Sequence, residues 1–119
     1  MNLRSLFENA PYAQAFPAGA TLFAAGTSGE VMYVVIEGEV EVRVQNKVVE
    51  VLGPGEIVGE MALIKPQPRT ATVMARSTCR LVPIDEQRFL YLVSATPFFS
   101  LHVLRVLVER LQRSMGQRA

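Results

Sequence analysis

From Gly19 to Gly59 the chain alternates short apolar runs with turn-forming residues. Seven of its eight glycines lie in this stretch. The apolar runs are rich in β-branched residues and occupy 21–25, 31–37, 40–44 and 48–52, and two further runs follow at 70–75 and 79–84. Turn signals about 8–12 residues apart are typical of a compact sandwich or barrel. We therefore predict a β-rich fold.

Two of these runs differ in how their side chains alternate. In 40–45, three valines share one face of the predicted strand and three polar residues share the other. The valines are Val40, Val42 and Val44. The run 31–37 is apolar almost throughout, which favours a central strand. Turns between the runs are predicted at 26–29, 37–38, 46–47 and 53–55.

The spacing of apolar residues becomes helical from Asp85 onward. Asp85 suits the N-cap of a short helix, and Thr96 with Pro97 suits the start of a second helix that runs to Gly116. A short leading helix is predicted within 2–10.

These elements define the predicted fold class, which is mainly β with flanking helices. A double-stranded β-helix, or jelly-roll-like β-roll, occupies about residues 12–84. A short helix and a long C-terminal helix then occupy about 85–115. We expect residues 1–119 to form a single domain, because a chain of this length fits one hydrophobic core.

Composition narrows the classes of function. Half of the residues are hydrophobic and 19% are charged, so the chain can bury a core. The formal charge is +1, which gives no reason to expect binding to nucleic acid or to an anionic membrane. No apolar run approaches the roughly 20 residues of a spanning helix, and the N-terminus lacks the apolar core of a signal peptide. We therefore expect a cytoplasmic protein.

Residues that commonly support catalysis or metal binding are scarce. Cys79 is the single cysteine, which excludes an internal disulfide, and its apolar surroundings favour packing. His102 is the single histidine, and no second histidine, cysteine or acidic cluster accompanies it at ligand spacing. No nucleophile and base stand out as a pair. We expect no enzyme activity, no metal and no cofactor.

The segment GEMALIKPQPRTATV, at 59–73, combines features that suit an anion. A short helix that begins at Gly59 and Glu60 would direct its first backbone N–H groups outward. A Pro-Gln-Pro sequence ends that helix and stiffens the loop that leads to Arg69, which we expect to be exposed when no ligand is bound. A guanidinium there suits a phosphate, whereas the Glu60 carboxylate suits a ribose hydroxyl. The residues predict a nucleotide site.

The same segment resembles the phosphate-binding cassette of cyclic nucleotide-binding domains. That cassette reads Gly-Glu-apolar-Ala-Leu, a short loop, Arg, a small residue or Thr/Ser, then Ala. The stretches GEVMYVVIEGEVEV and LGPGEIVGE resemble the β-roll and glycine turns of the family, and the likeness covers about residues 12–94. The terminal helix is similar to the dimer helix of bacterial regulators of the cyclic-AMP receptor type. The resemblance implies a ligand, cyclic AMP or cyclic GMP.

The resemblance also implies roles for single residues. The family's ligand-binding positions fall at Gly59, Glu60, Met61, Ala62, Arg69 and Thr70 and, in the terminal helix, at Arg110 and Ser114. Glu60 would hold the ribose 2′-hydroxyl and Arg69 would pair with the cyclic phosphate, while the neighbours of Glu60 would offer backbone N–H groups. Thr70 stands where relatives place a hydroxyl near the phosphate and purine, which leaves both nucleotides open. The two helix residues would reach the adenine.

Apolar residues of the terminal helix form a stripe at spacings of three and four. The stripe consists of Leu101, Leu104, Val108, Leu111 and Met115. Other apolar residues lie on further faces, so this helix needs more than one surface to bury against. We predict a homodimer through the C-terminal helix, and a monomer whose helix folds wholly onto its own roll stays the open alternative.

The favoured function is a free-standing regulatory or sensor module that rearranges its C-terminal helices when a cyclic nucleotide binds. It would act on a protein partner. A transcription regulator is disfavoured, because three residues after Gly116 leave no room for a DNA-binding domain. Two alternatives stay open: a domain excised from a cyclic nucleotide-gated channel or a fused enzyme, and a degenerate roll that serves as a protein-interaction module.

Overall fold

The computed structural model describes residues 3–65 and 67–115, without the side chain of Ser114. The chain divides into two compact units, Met1–Glu86 and Gln87–Ala119, named here the β-roll unit and the helical unit. The loop stiffening expected of Pro66 and the helix end expected at Gly116 fall outside the described residues. The single-domain organisation stays a prediction.

Among the described residues, the β-roll unit contains ten elements. They are α1 (Leu3–Phe7), β1 (Gln14–Phe16), β2 (Thr21–Phe23), β3 (Val31–Glu37), β4 (Val40–Val44), β5 (Lys47–Leu52), β6 (Ile57–Val58), α2 (Glu60–Ile64), β7 (Thr72–Ala75) and β8 (Cys79–Asp85). Two helices, α3 (Glu86–Ala95) and α4 (Pro97–Ser114), follow. The predicted fold class is confirmed: a β-roll precedes a short helix and a long C-terminal helix.

The eight strands form two antiparallel sheets of four. Their orders are β1-β8-β3-β6 and β2-β7-β4-β5, so the chain repeatedly passes from one sheet to the other. The central position predicted for the run 31–37 is confirmed, since β3 lies between β8 and β6. Two pairings matter for the site: Tyr33 of β3 lies opposite Val58 of β6, and Phe23 of β2 lies opposite Val73 of β7.

The core of the roll consists of apolar side chains from both sheets. One buried cluster comprises Val35, Val40, Leu52, Val58, Val73, Ala75, Cys79 and Leu81. Packing of Cys79, expected from its surroundings, is confirmed, because the residue is buried and burial raises the pKa of its thiol. Burial of this apolar surface is the main force that stabilises the roll.

The β4–β5 hairpin departs from simple alternation. Val40 is buried and Val42 half-buried, but Val44 is 41% exposed, so the face predicted for the three valines is buried only at one end. Val44 adjoins the turn residues Gln45 and Asn46, whose φ angles of 53° and 65° are those of a tight two-residue hairpin. The turn carries the end of the strand away from the core.

Two strands were not predicted. β1 has three residues and β6 has two, and neither is long enough to show a period in the sequence. Their identity as strands depends on pairing with β8 and β3, which are distant along the chain.

In the helical unit, α3 and α4 begin where the sequence predicts. Thr96 is the N-cap residue of α4 and Pro97 occupies its first turn, as expected, although the Thr96 side chain makes no capping hydrogen bond. The rings of Phe89 and Phe99 meet edge to face, 5.5 Å apart, and Phe99 is fully buried. Every member of the predicted apolar stripe on α4 is exposed.

Among the described residues, neither helix alone is both long and apolar enough to cross a membrane. Taken together, α3 and α4 meet the requirement by length and composition only, with a bend of 115° between them.

Candidate functional site

The start of α2 is shaped by Gly59. Its φ of 81° lies in the left-handed region that glycine enters without strain, and this conformation turns the chain from β6 into the helix. Glu60 follows and is 2% exposed. The Ala62 N–H donates to the Gly59 carbonyl at 3.3 Å, which closes the first turn. At Lys65 the backbone is extended, so the helix ends where the sequence predicts.

The backbone of Arg69 is fixed by the loop between β2 and β3. Its N–H donates to the Thr27 carbonyl and its carbonyl accepts from the Gly26 N–H, both at 2.8 Å. Together with the pairing of β2 and β7, these bonds set Arg69 at the edge of one sheet. The pairing of β3 and β6 brings Val31 and Gly59 to the same place from the other sheet.

The guanidinium of Arg69 lies at the junction of these elements. Its Nη2 donates to the Val31 carbonyl at 2.7 Å, and its Nη1 donates to the Gly59 carbonyl at 3.2 Å. Its Cζ lies 3.9 Å from the centroid of the Phe23 ring. Arg69 is 8% exposed, so the sequence-based expectation of an exposed arginine was wrong. Backbone carbonyls replace water around the cation and make this burial tolerable.

Two glycines leave the space that the guanidinium occupies. A Cβ at Gly29 would collide with Nε, Nη2 and Cζ of Arg69. A Cβ at Gly59 would lie 2.8 Å from Nη1 and 3.2 Å from the Phe23 ring. A side chain at either position would therefore displace the guanidinium, and at Gly59 it would also have to adopt a left-handed backbone angle.

The electrostatics of the site follow from burial. Desolvation lowers the pKa of Arg69, while the electrostatic influence of Tyr33 and Glu60 raises it in part. An arginine retains its proton under such a shift, since its ordinary pKa is so high. The site is thus a cation in a poorly solvated position, where an anion interacts more strongly than it would in water.

The hydrogen bonds of Arg69 leave donors for a ligand. Val31 and Gly59 each take one hydrogen from a terminal nitrogen, so the Nε–H and a second hydrogen on each terminal nitrogen remain. Within the described part of the chain, Nε is buried and has no hydrogen-bond partner. A buried donor that lacks an acceptor is costly, so an anionic oxygen at this edge would satisfy it.

The sequence-predicted residues are only partly brought together. Arg69 and the start of α2, from Gly59 to Ala62, lie in contact through the Gly59 carbonyl. Met61 is 49% exposed, and Thr70 is exposed in the loop before β7. The contacts expected of Arg110 and Ser114 stay predictions, because both belong to the helical unit and the side chain of Ser114 lies outside the described residues.

Three contributors to the site were missed in the sequence. The carbonyl of Val31 has no side-chain signal, because any residue could supply it. Gly29 appeared only as a turn glycine, and Phe23 only as an apolar strand residue. At Gly29 the reason for glycine is the space that the Arg69 side chain occupies, and the sequence does not reveal that contact.

No group of three or more metal-ligating side chains lies close enough to hold an ion, as far as residues 3–65 and 67–115 are concerned.

A model of the cyclic nucleotide-binding domain matches residues 13–96 of the chain. Among curated proteins, the chain is 44% identical over 85 residues to a cyclic nucleotide-gated potassium channel of Mesorhizobium japonicum, covering 71% of the chain and 23% of the channel. It is 31% identical over 104 residues to a CRP-like cAMP-activated global transcriptional regulator of Mycobacterium tuberculosis, covering 83% and 46%. The chain thus spans less than half the length of either relative.

The fold is similar to that of a solved protein from a cyclic-GMP-dependent signalling pathway that regulates bacterial phytopathogenesis. The TM-score is 0.78 at 29% identity, and the match covers 95% of both chains.

Proposed function

We infer that the chain, which belongs to the cyclic nucleotide-binding domain family, binds cyclic AMP or cyclic GMP at the residues gathered around Arg69. The observation that carries this proposal is the buried guanidinium beside the start of α2, with an Nε–H that has no acceptor among the described residues. Such a donor edge matches two oxygens of a compact phosphate, which guanidinium binds in parallel hydrogen bonds.

The remaining predicted residues would complete the ligand's surroundings. Glu60 is buried and close enough to influence this cation electrostatically, and we assign its carboxylate to the ribose 2′-hydroxyl rather than to the phosphate. Gly59 and Met61 flank it with backbone N–H groups, whereas the N–H of Ala62 already closes the first turn of α2. Thr70 is exposed and free to approach either phosphate or purine, so both nucleotides stay candidates.

Calorimetric titration tests the proposal. Purified protein is titrated with cyclic AMP and cyclic GMP, and with cyclic dinucleotides as larger cyclic phosphates. Linear 5′-AMP is the control, because it keeps the base and ribose but lacks the cyclic phosphate. We expect saturable binding of at least one cyclic mononucleotide and weaker binding of 5′-AMP. If none of these ligands binds, the roll is a degenerate one, and the protein-interaction alternative replaces this proposal.

Regulation through the C-terminal helices is the second part of the proposal. The exposed stripe on α4 offers an apolar surface for the same helix of a second copy, related by a two-fold axis. Val103, by contrast, is 3% exposed, so α4 has both a buried and an exposed apolar face. Contact of Arg110 and Ser114 with a bound purine would bias the helices toward one arrangement and pass the signal to a protein partner.

A role as the ligand-sensing part of a channel is the second candidate. It is favoured by the 44% identity to the potassium channel of Mesorhizobium japonicum, which exceeds the identity to the transcriptional regulator. A pull-down with membrane extracts, in the presence and absence of cyclic AMP, tests this role. Recovery of a channel supports it, whereas recovery of a soluble protein alone supports a soluble partner.

A further inference from the structure

Phe23 lies directly beneath the cation of the proposed site. The Cζ atom of Arg69 is 3.9 Å from the centroid of its ring. Phe23 in turn stacks on Tyr33, with 6.5 Å between ring centroids and 18° between planes. The ring of Phe16 meets Tyr33 edge-on at 6.3 Å. The three rings form a continuous aromatic row, with the guanidinium at one end and Phe16 at the other.

The ring restrains a degree of freedom that the hydrogen bonds do not. The carbonyls of Val31 and Gly59 hold the terminal nitrogens of Arg69, but two acceptors leave the plane of the guanidinium able to tilt. A planar cation stacked over an aromatic face is attracted to the ring, and more strongly when both are desolvated. Arg69 is 8% exposed and Phe23 is partly buried, so the cation has lost most of its water where it meets the ring.

The backbone of Gly29 confines the guanidinium from a further direction, since a Cβ there would overlap three of its atoms. A Cβ at Gly59 would lie 3.2 Å from the Phe23 ring, so the ring lies next to the helix start as well as to the cation. A shift of the ring therefore allows the donor edge of Arg69 to move relative to α2.

We propose that Phe23 is a positioning residue for nucleotide binding: its ring fixes the plane of the Arg69 guanidinium so that the Nε–H edge meets the ligand phosphate. This inference rests on the proposed function. The competing explanation is that Phe23 only fills space, because it is partly buried against the core of the roll.

Phe16 provides a matched control for that explanation. It is partly buried, packs against the same core cluster and contacts Tyr33, yet it lies at the far end of the aromatic row from Arg69. Phe23→Leu and Phe16→Leu therefore remove the same ring from similar surroundings. Phe23→Met is a second variant that fills the space with an unbranched side chain, for use if Phe23→Leu does not fold.

Two measurements test the proposal: the first reports whether the ring lies against the guanidinium, and the second reports whether its removal weakens ligand binding. The first is the NMR signal of the Arg69 Nε–H group without nucleotide, assigned by its loss in Arg69→Lys. An aromatic ring beneath the guanidinium shifts this signal by its ring current. We expect Phe23→Leu to move the signal toward its unstacked position and Phe16→Leu to leave it nearly unchanged. The second measurement is calorimetric affinity for cyclic AMP, which we expect to fall about three- to thirtyfold in Phe23→Leu relative to Phe16→Leu.

Failure of the positioning role can be distinguished from failure of the proposed function. An unmoved Arg69 signal in Phe23→Leu, or equal loss of affinity in both leucine variants, overturns the positioning role. If the wild-type protein binds no cyclic nucleotide, the proposed function fails and with it the purpose assigned to Phe23. The NMR signal then reports only whether the ring lies against the guanidinium, because loss of the ring removes its ring current whatever the orientation of the cation.

Discussion

The substitution Gly29→Ala should displace the guanidinium of Arg69 while leaving the residue at position 69 an arginine. Gly29 lies outside the left-handed region, so its φ angle does not favour glycine over alanine. The added Cβ would lie 2.7 Å from Cζ of Arg69 and closer still to Nε. Contacts between such atoms are comfortable at about 3.5–4.0 Å, so the guanidinium must retreat by roughly 1 Å.

The size of that displacement determines how much stability and affinity the variant should lose. The Nη2 bond to Val31, now 2.7 Å, would lengthen beyond ordinary hydrogen-bond range or the cation would leave the Phe23 ring. Hydrogen bonds to a charged group contribute about 1.5–3 kcal/mol each. We expect a loss of stability of about that size, and a weakening of cyclic AMP binding by about tenfold to a hundredfold once the phosphate contact is misplaced.

The assay compares Gly29→Ala with Gly53→Ala by thermal unfolding and calorimetric titration. Gly53 also lies outside the left-handed region, and a Cβ there has no neighbour within 4 Å among the described residues. Gly53→Ala should therefore match the wild type. The reasoning is refuted if Gly29→Ala binds cyclic AMP as tightly as Gly53→Ala does.

Four further outcomes are expected. Glu60→Gln and the use of 2′-deoxy cyclic AMP should each weaken binding in calorimetry. Combined, they should cost less affinity than the sum of the two losses, because both remove the same contact. Full additivity would place the ribose contact elsewhere. Thr70→Ala should weaken cyclic GMP about fivefold more than cyclic AMP, the effect of one hydrogen bond to the guanine amino group, and equal losses would confine Thr70 to the phosphate. Leu104 is 58% exposed, so Leu104→Glu should convert dimers to folded monomers in light scattering, and a wild type that stays monomeric at high concentration would end the dimer proposal. Burial raises the pKa of the Cys79 thiol, so alkylation of the folded protein by iodoacetamide should be slow at neutral pH. The rate should increase as the pH rises above the ordinary pKa of a thiol. Rapid alkylation at neutral pH would contradict this expectation.

Elements with a long regular pattern were predictable from the sequence. The alternation in β4, the apolar run of β3 and the helical spacing of α4 each identify the type of element, and the structure confirms all three elements, although Val44 of β4 lies outside the core. β1 and β6 escaped prediction because two or three residues carry no period, and pairing with distant strands makes them strands.

The chemistry of the site was predictable only where it depends on the type of a side chain. Glu60 and Arg69 were identified because a carboxylate and a guanidinium at that spacing suit a nucleotide. The burial of Arg69 was not, since it depends on carbonyls of Val31 and Gly59 that any residue could provide. Phe23 was overlooked for a related reason: an aromatic residue on a strand is usually part of a core, and only its pairing with Val73 brings it beneath the cation.

The bonds from Arg69 to two backbone carbonyls also determine when its conformational entropy is lost. Fixing a long side chain such as arginine costs about 1.5–2 kcal/mol in rotamer freedom. Because Val31, Gly59 and the Phe23 ring hold the guanidinium in the chain by itself, this cost falls on the folding equilibrium. A nucleotide that arrives later has no rotamers of Arg69 left to freeze. Its association rate with the roll should therefore reflect diffusional encounter rather than a search by this side chain.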